Sequence, residues 1–350
     1  MIPGPSERER PLRPHPRRRM PLIAVVIIGG LFLCSACAGR QPVAPAPGQT
    51  TVYRSKNYVV YTSAITPSAE ALASEFLGDS GKSWIIEEAN QPGGLQSERA
   101  IVIPLAVKNK GGLRREGFQT VPVLTYHRFG DNCDSPLCMP VDVFDRQMRY
   151  LKDNGFHTVT PEELLAFLHY RQPLPQKSIW ITMDDGYRST FNVAYPILKK
   201  YGFTATMFVY TEFVGASRLA VTWDQLREMK ANGFSIGSHS VTHSDLTKAR
   251  PGESPDAFIA RIRRELDQSK QIIDKKLRQN TIVLAYPFGY YDRRAVNLAH
   301  EAGYKLAASV RRGGNPFFAN PLALRRDQVL KRDMGTFKKR LQTFYPLALE

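Results

Sequence analysis

Cysteine is scarce in this chain, four among 350 residues. Cys34 and Cys37 sit in an N-terminal apolar stretch, leaving only Cys133 and Cys138 downstream. One pair cannot complete a four-cysteine zinc site. The pair in "GDNCDSPLCMP" therefore closes a small disulfide in an oxidising compartment or stays as two free thiols. Long apolar runs are also missing: "LIAVVIIGGLFL", Leu22 to Leu33, has twelve residues, too few to span a bilayer. No stretch interleaves aromatics with Lys and Arg, so the net charge of +16 is read as solvated or anion-facing surface, with no nucleic-acid partner.

What is present begins with Arg17, Arg18 and Arg19 ahead of that apolar run, the pattern of a signal-peptide core. A start at Met20 would remove those arginines. The run ends in "CSAC", which resembles a bacterial lipobox with Cys34 where a leucine is usual. The resemblance implies a leader over 1–37, lipidation of Cys37 and a membrane anchor. The implied location is the cell envelope, as a periplasmic or outer-membrane-attached lipoprotein. An ordinary cleaved signal peptide and an uncleaved anchor are the alternatives. The Pro/Ala/Gly-rich segment within 38–56 reads as a tether.

Residues 57–107 read as strand, helix, helix, strand, with strands at 58–61 and 101–105 and helices at 67–76 and 83–89. On "YVVYTSAIT", "LASEFLGD" and "IVIPL" this unit resembles a lysin-motif (LysM) domain, which implies N-acetylglucosamine binding. Ser63-Ala64-Ile65-Thr66 stands where that family often has Gly-Asp-Thr, and a degenerate packing module is the competing reading. A polar, Gly-rich linker follows at 108–117.

From 118 to 350 apolar strands alternate with amphipathic helices: "VPVLTY", "FHTVT", "SIWITM", "TATMFVY", "FSIGS", "TIVLAY", "YKLAAS" and "ALRRDQV" are the strand segments. Such alternation implies a parallel sheet covered by helices. Roughly seven units in one piece favour an α/β fold of distorted (β/α)7-barrel type, preceded by the small α+β unit. Functional side chains gather at the carboxyl ends of strands in such folds. His127, Asp184, Asp185, His239 and "YPFGYYD" all fall there.

Taken alone, Asp184-Asp185-Gly186 is a turn whose acid caps a helix. Two adjacent acids on a turn also point apart, so one can bind a cation while the other faces a substrate. His239 and His243, four apart, suit one face of a helical turn and a shared metal, although "SHSVTHSDL" also reads as a polar helix start with Thr242 and Asp245 as caps. One Asp and two His leave open positions for water, the arrangement of catalytic zinc.

"TMDDG", "HSVTH" and "YPFG", with the opening "VLTYHRFG", resemble the motifs of the NodB-homology polysaccharide deacetylases, carbohydrate esterase family 4. The match runs over about Thr120 to Val329. It implies Asp185, His239 and His243 as ligands of a divalent metal, zinc first, and Asp184 as the base. The implied substrate is a β-linked N-acetylglucosamine polymer, exopolysaccharide or peptidoglycan, with acetate released. A catalytically inert glycan-binding lipoprotein is the alternative. Ala285 replaces the arginine that often opens the third motif and orients the base, so Arg326, ahead of Arg325, is expected to reach Asp184 from the last strand. His127 is expected as acid or substrate contact. "LAH" at 298–300 imitates a fifth motif, but His300 falls mid-helix on a solvent-facing side and is set aside. Tyr187, Pro287, Phe288 and Tyr290 are expected to line a sugar groove, with a backbone N–H near Phe288 facing the oxyanion.

Overall fold

The structure is a computed structural model and describes residues 50–91, 94–96 and 99–346. The segments expected as leader and lipidated Cys37, and most of the segment expected as tether, lie outside these residues.

The first unit is a three-stranded antiparallel sheet, β1 (Thr51–Arg54), β2 (Tyr58–Thr62) and β3 (Ile101–Pro104), in the order β1-β2-β3. Between β2 and β3 run α1 (Ala69–Leu77) and α2 (Ser83–Ala89). Ser68 caps α1 by accepting the Ala71 N–H, and Gly78 ends it in the left-handed conformation. Val59, Leu72, Ile86 and Ile103 form its core. β1 falls inside the stretch expected as tether. The 108–117 segment is likewise not wholly linker, because β4 (Leu113–Arg114) pairs with β5 (Gly117–Gln119).

The larger unit continues with β6 (Val123–Tyr126), β7 (Arg128–Gly130) and β8 (Cys138–Pro140), then α3 (Val141–Asp153), β9 (His157–Thr158) and α4 (Pro161–Leu168). A disulfide joins Cys133 to Cys138 across the β7–β8 loop. β10 (Ser178–Met183) follows, then α5 (Tyr195–Tyr201), β11 (Thr206–Val209), α6 (Trp223–Ala231) and β12 (Ser235–Ser238). α7 (Pro255–Leu277), β13 (Val283–Ala285), α8 (Arg293–Glu301) and β14 (Leu306–Ala308) complete the alternation. β15 (Asp327–Gln328), α9 (Met334–Lys338) and β16 (Phe344–Pro346) end it, with β16 pairing on β5.

Seven strands form a curved parallel sheet in the order β14-β13-β12-β11-β10-β6-β15. The segment before β15 bridges the two edges, since Leu324 pairs in parallel with Ala308 of β14 while β15 pairs with β6. β9 corrects one expectation. "FHTVT" contributes only a two-residue strand beside Ser178 and Ile179, off the main path, so it does not separate β6 from β10.

The sheet is buried on both faces, which is why "SIWITM" reads as a continuous apolar run: all six residues are buried. Ile179, Ile181 and Met183 pack with residues of α3, α5 and α6 on one face. Val123, Trp180, Phe208 and Val283 pack on the other. Because side chains alternate along a strand, the register continues from Val123 to His127, from Trp180 to Asp184 and from Phe208 to Tyr210. Apolar residues on the inner face thus set polar ones together where the strands end. Among the described residues, no helix is long and apolar enough to cross a membrane.

Candidate active site

Asp184 leaves β10 with its N–H bonded to the Tyr126 carbonyl at 2.9 Å and its carboxylate buried. Arg326, fully buried, forks onto it: Nη1 to Oδ1 and Nη2 to Oδ2, both at 2.8 Å. The same guanidinium donates from Nε to the Ser309 carbonyl at 2.7 Å, which fixes the plane of the fork. Burial pushes the Asp184 carboxyl up, but Arg326, His239 and His127 outweigh it and bring it down to about 2. Arg325 is exposed and points elsewhere.

Asp185 takes φ of 76°, a conformation that Asp tolerates better than most residues, and Gly186 continues the turn at 87°. The two neighbouring carboxylates therefore diverge. Asp185 Oδ1 lies 3.5 Å from Nε2 of both His239 and His243. These are long for hydrogen bonds but close to the about 3.3 Å that separates two ligands held at 2.0–2.1 Å around a tetrahedral ion. Among the described residues, Asp185, His239 and His243 are the one such group that could hold a metal ion, with donor atoms within 4.8 Å of one another.

The imidazoles are oriented for it. His239 Nδ1 meets the Ala285 carbonyl at 2.7 Å, and a carbonyl only accepts, so Nδ1 carries the proton and Nε2 faces Asp185. His243 arrives differently from the helical turn expected. Residues 239–243 form a loop in which Ser240 and His243 take φ of 71° and 61°. Glu265 of α7 accepts the N–H groups of Val241 and Thr242 at 2.8 and 2.9 Å, and the Thr242 hydroxyl at 2.6 Å. Burial raises that carboxyl, but the three donors prevail and keep it below its ordinary value. Thr242 thus serves Glu265 rather than a helix cap.

His127 follows β6 and feels the carboxylates of Asp184 and Asp185, yet burial dominates and lowers its pKa. Phe288, at φ of 59° in the short turn Pro287–Gly289, sets its ring edge-on to His243 at 4.6 Å between centroids. Gly289 makes that turn possible. A Cβ there would lie 2.6 Å from the Val310 backbone nitrogen, at φ of 73°. Tyr290 is exposed at the rim, 6.1 Å from Phe288. Tyr187 packs against Phe213 at 5.5 Å and under Arg128 at 5.6 Å. His300 is exposed on α8, away from the cluster.

Two residues of the site escaped the sequence reading. Tyr210, first after "MFV" of β11, sets its ring 5.4 Å from His243, and the strand-end rule applied to that run would have found it. Glu265 gave no such signal, since an acid in a 23-residue charged helix looks like solvated surface.

A carboxylate and two imidazoles beside a second, arginine-held carboxylate, all at the carboxyl edge of a parallel sheet, are the parts of a hydrolytic centre. The polysaccharide deacetylase family model matches residues 171–307. YxkH of Bacillus subtilis (strain 168), a polysaccharide deacetylase by name, is 32% identical over 209 residues, 60% of this chain and 71% of that protein. The structure of Streptococcus pyogenes deacetylase PplD in complex with acetate is similar at a TM-score of 0.57 and 32% identity, covering 64% of this chain and 98% of that one. The poly-beta-1,6-N-acetyl-D-glucosamine N-deacetylase of Staphylococcus aureus (strain MRSA252) is 29% identical over 174 residues, 48% of this chain and 59% of that protein. The chain belongs to the polysaccharide deacetylase family, hydrolases acting on amide bonds.

Proposed function

We propose that this protein removes N-acetyl groups, as acetate, from a β-linked N-acetylglucosamine polymer in a reaction that needs a divalent metal. The observation that carries the reading is the fork of Arg326 on Asp184 beside the Asp185, His239 and His243 cluster. The S. aureus relative, named for a β-1,6-linked polymer of this sugar, supports the substrate class.

Asp185, His239 and His243 fit a divalent ion, zinc first, by donor type and spacing. Such an ion supplies Lewis acidity toward the acetamide oxygen and acidifies water. Asp184 takes the proton of the attacking water, and Arg326 aims its carboxylate and keeps it ionised. His127, neutral through burial, takes on the proton that Asp184 removes from the water and hands it to the departing amine. The Pro287–Gly289 turn offers the Phe288 N–H to the oxyanion. Tyr187 and Tyr290 flank the sugar ring on either side.

The β2–α1–α2–β3 order of the first unit supports a LysM-like module that holds the glycan, to which β1 adds a strand. A signal peptide with lipidation at Cys37 would keep the enzyme in the envelope. The test is acetate release from β-1,6 and β-1,4 N-acetylglucosamine oligomers by metal-loaded protein. Release that stops with chelator and returns with zinc is the expected result. Oligomer binding without any acetate, at full metal occupancy, would sink the reading.

A further inference from the structure

Alternation along the chain into β15 sends Arg326 inward to Asp184 and Asp327 outward. On that outer side lies a cavity of about 810 Å3 between the 311–325 loop and the C-terminal segment. Its wall carries five cations, Arg311, Arg312, Arg325, Lys339 and Arg340, and one carboxylate, Asp327. Asp327 accepts from Arg340 at 3.0 Å and lies 3.7 Å from Arg312. That leaves Arg311, Arg325 and Lys339, all exposed, with no carboxylate partner among the described residues. Arg311 stacks over the Tyr291 ring at 4.7 Å, and the mutual repulsion of such exposed cations is small, but a concave wall of one sign draws anions to it.

The wall is built rather than frayed. The buried Asn315 side chain donates to the Val121 and Arg325 carbonyls and accepts the Arg325 N–H, pinning the loop. At Gly314 a Cβ would fall 2.0 Å from the Thr120 hydroxyl, so the loop is seated where only glycine fits. Phe318 and Tyr345 stand exposed at the rim, both against Phe118.

This wall connects to the reaction centre. Arg311 and Tyr291 also line a cavity of about 410 Å3 that includes Tyr290, next to the Phe288 ring on His243. Beyond the other end of the cluster, a cavity of about 420 Å3 shares Tyr187 and sets Arg128, Arg188 and Arg218 against Asp134 alone. The metal-type ligands follow β10 and β12, between these two regions. A polymer that leaves the site past Tyr290 and Tyr291 reaches this wall at Arg311, and Phe118, Thr120 and Pro122 set the rest of the wall toward the amino end of β6. The aromatic, concave surface suits sugar rings and disfavours a flat bilayer.

We propose that the cavity around Arg311, Arg325 and Lys339 binds anionic groups of the glycan, so that the substrate is an acidic N-acetylglucosamine polymer bearing carboxylates or phosphodiesters away from the reacting N-acetyl group. The substrate half rests on the deacetylase reading, whereas the anion site does not.

The experiment compares metal-loaded full-length protein with the Arg311→Gln/Arg325→Gln/Lys339→Gln variant. The probes are a neutral N-acetylglucosamine pentamer, N-acetylglucosamine–N-acetylmuramic acid strands, a glycerol-phosphate polymer bearing N-acetylglucosamine, and phosphatidylglycerol vesicles. The expected loss is about tenfold in binding and in kcat/KM on one acidic polymer at low salt, vanishing at high salt, with pentamer turnover unchanged. Which acidic polymer responds tells carboxylate from phosphodiester. Equal binding of both acidic polymers by variant and wild type overturns the proposal, as does a loss confined to vesicles. No acetate from any probe, with the tenfold binding loss intact, overturns the deacetylase reading and leaves the anion site standing.

Discussion

Arg326 and Asp184 stand 142 residues apart in the chain, yet each guanidinium Nη atom meets one carboxylate oxygen at 2.8 Å, with both residues buried. Removing the arginine leaves an acid that burial pushes upward, with only His239 and His127 still drawing it down. For Arg326→Met we expect kcat to fall about 100-fold and the acid limb of the pH–rate profile to move up by about 1–3 units. Arg326→Lys, which keeps the charge but not the fork, should recover the limb more than the rate. An unmoved limb in a folded, metal-loaded Arg326→Met protein would deny Arg326 its positioning role.

Adjacent acids should separate two properties. Asp184→Asn keeps the shape of the carboxylate but not its basicity, so metal content stays and turnover falls about 1,000-fold. Asp185→Asn removes an anionic ligand, so metal is lost on dialysis and activity goes with it. Metal per chain by mass spectrometry, beside acetate release, checks both. Near-normal turnover by Asp184→Asn would remove it from the base role.

Much of this geometry was legible because inner-face register runs straight through the strand ends. Trp180 and Asp184 share a face, and so do Val123 and His127, and alternation along an apolar run predicts such pairs. The missing arginine at Ala285 pointed outside the motif, and one parity choice on a short strand separates Arg326 from Arg325. The 239–243 loop was less legible. Four-residue spacing reads as a helical turn, but positive φ at Ser240 and His243 makes the same approach through a loop. Such a loop needs partners for its N–H groups, and the chain supplies them from Glu265, which no local pattern marks. β9 misled for a related reason: a β-branched, apolar segment pairs over only two residues when the neighbouring strands leave it no room on the path.

Glu265 gives a prediction of its own. Glu265→Gln removes the charge that strengthens these three hydrogen bonds and leaves an NH2 group that only the Thr242 hydroxyl can accept, so the loop carrying His243 loosens. Metal affinity, measured by competition with a chelator, should fall about 10–100-fold. Stability should respond too. The Glu265 carboxyl is held below its ordinary 4.5, so its stabilisation is present above that pH and is lost as pH falls through the folded value. The Glu265→Gln protein should therefore show a flatter fall of Tm on acidification. Unchanged metal affinity would reduce Glu265 to a packing residue.

The two imidazoles should behave oppositely in metal-free protein. Burial disfavours the charged form of His239, but the carboxylates of Asp185 and Asp184 and the Ala285 carbonyl outweigh it, so its pKa is raised above 6.5. His243 is lowered by burial and by His239, so it is neutral at pH 7. In the metal-free fold the His239 contribution is complete below 6.5 and is lost as pH rises through the raised value. A metal ion bound by the His239 Nε2 must expel that proton. Zinc binding at pH 6.5 should then release more than half a proton per chain, and apparent affinity should climb with pH until His239 is deprotonated. Calorimetry in buffers of different ionisation enthalpy reads the proton count. Zinc binding with no proton release at pH 6.5 would mean that His239 is not charged in the empty site or is not a ligand.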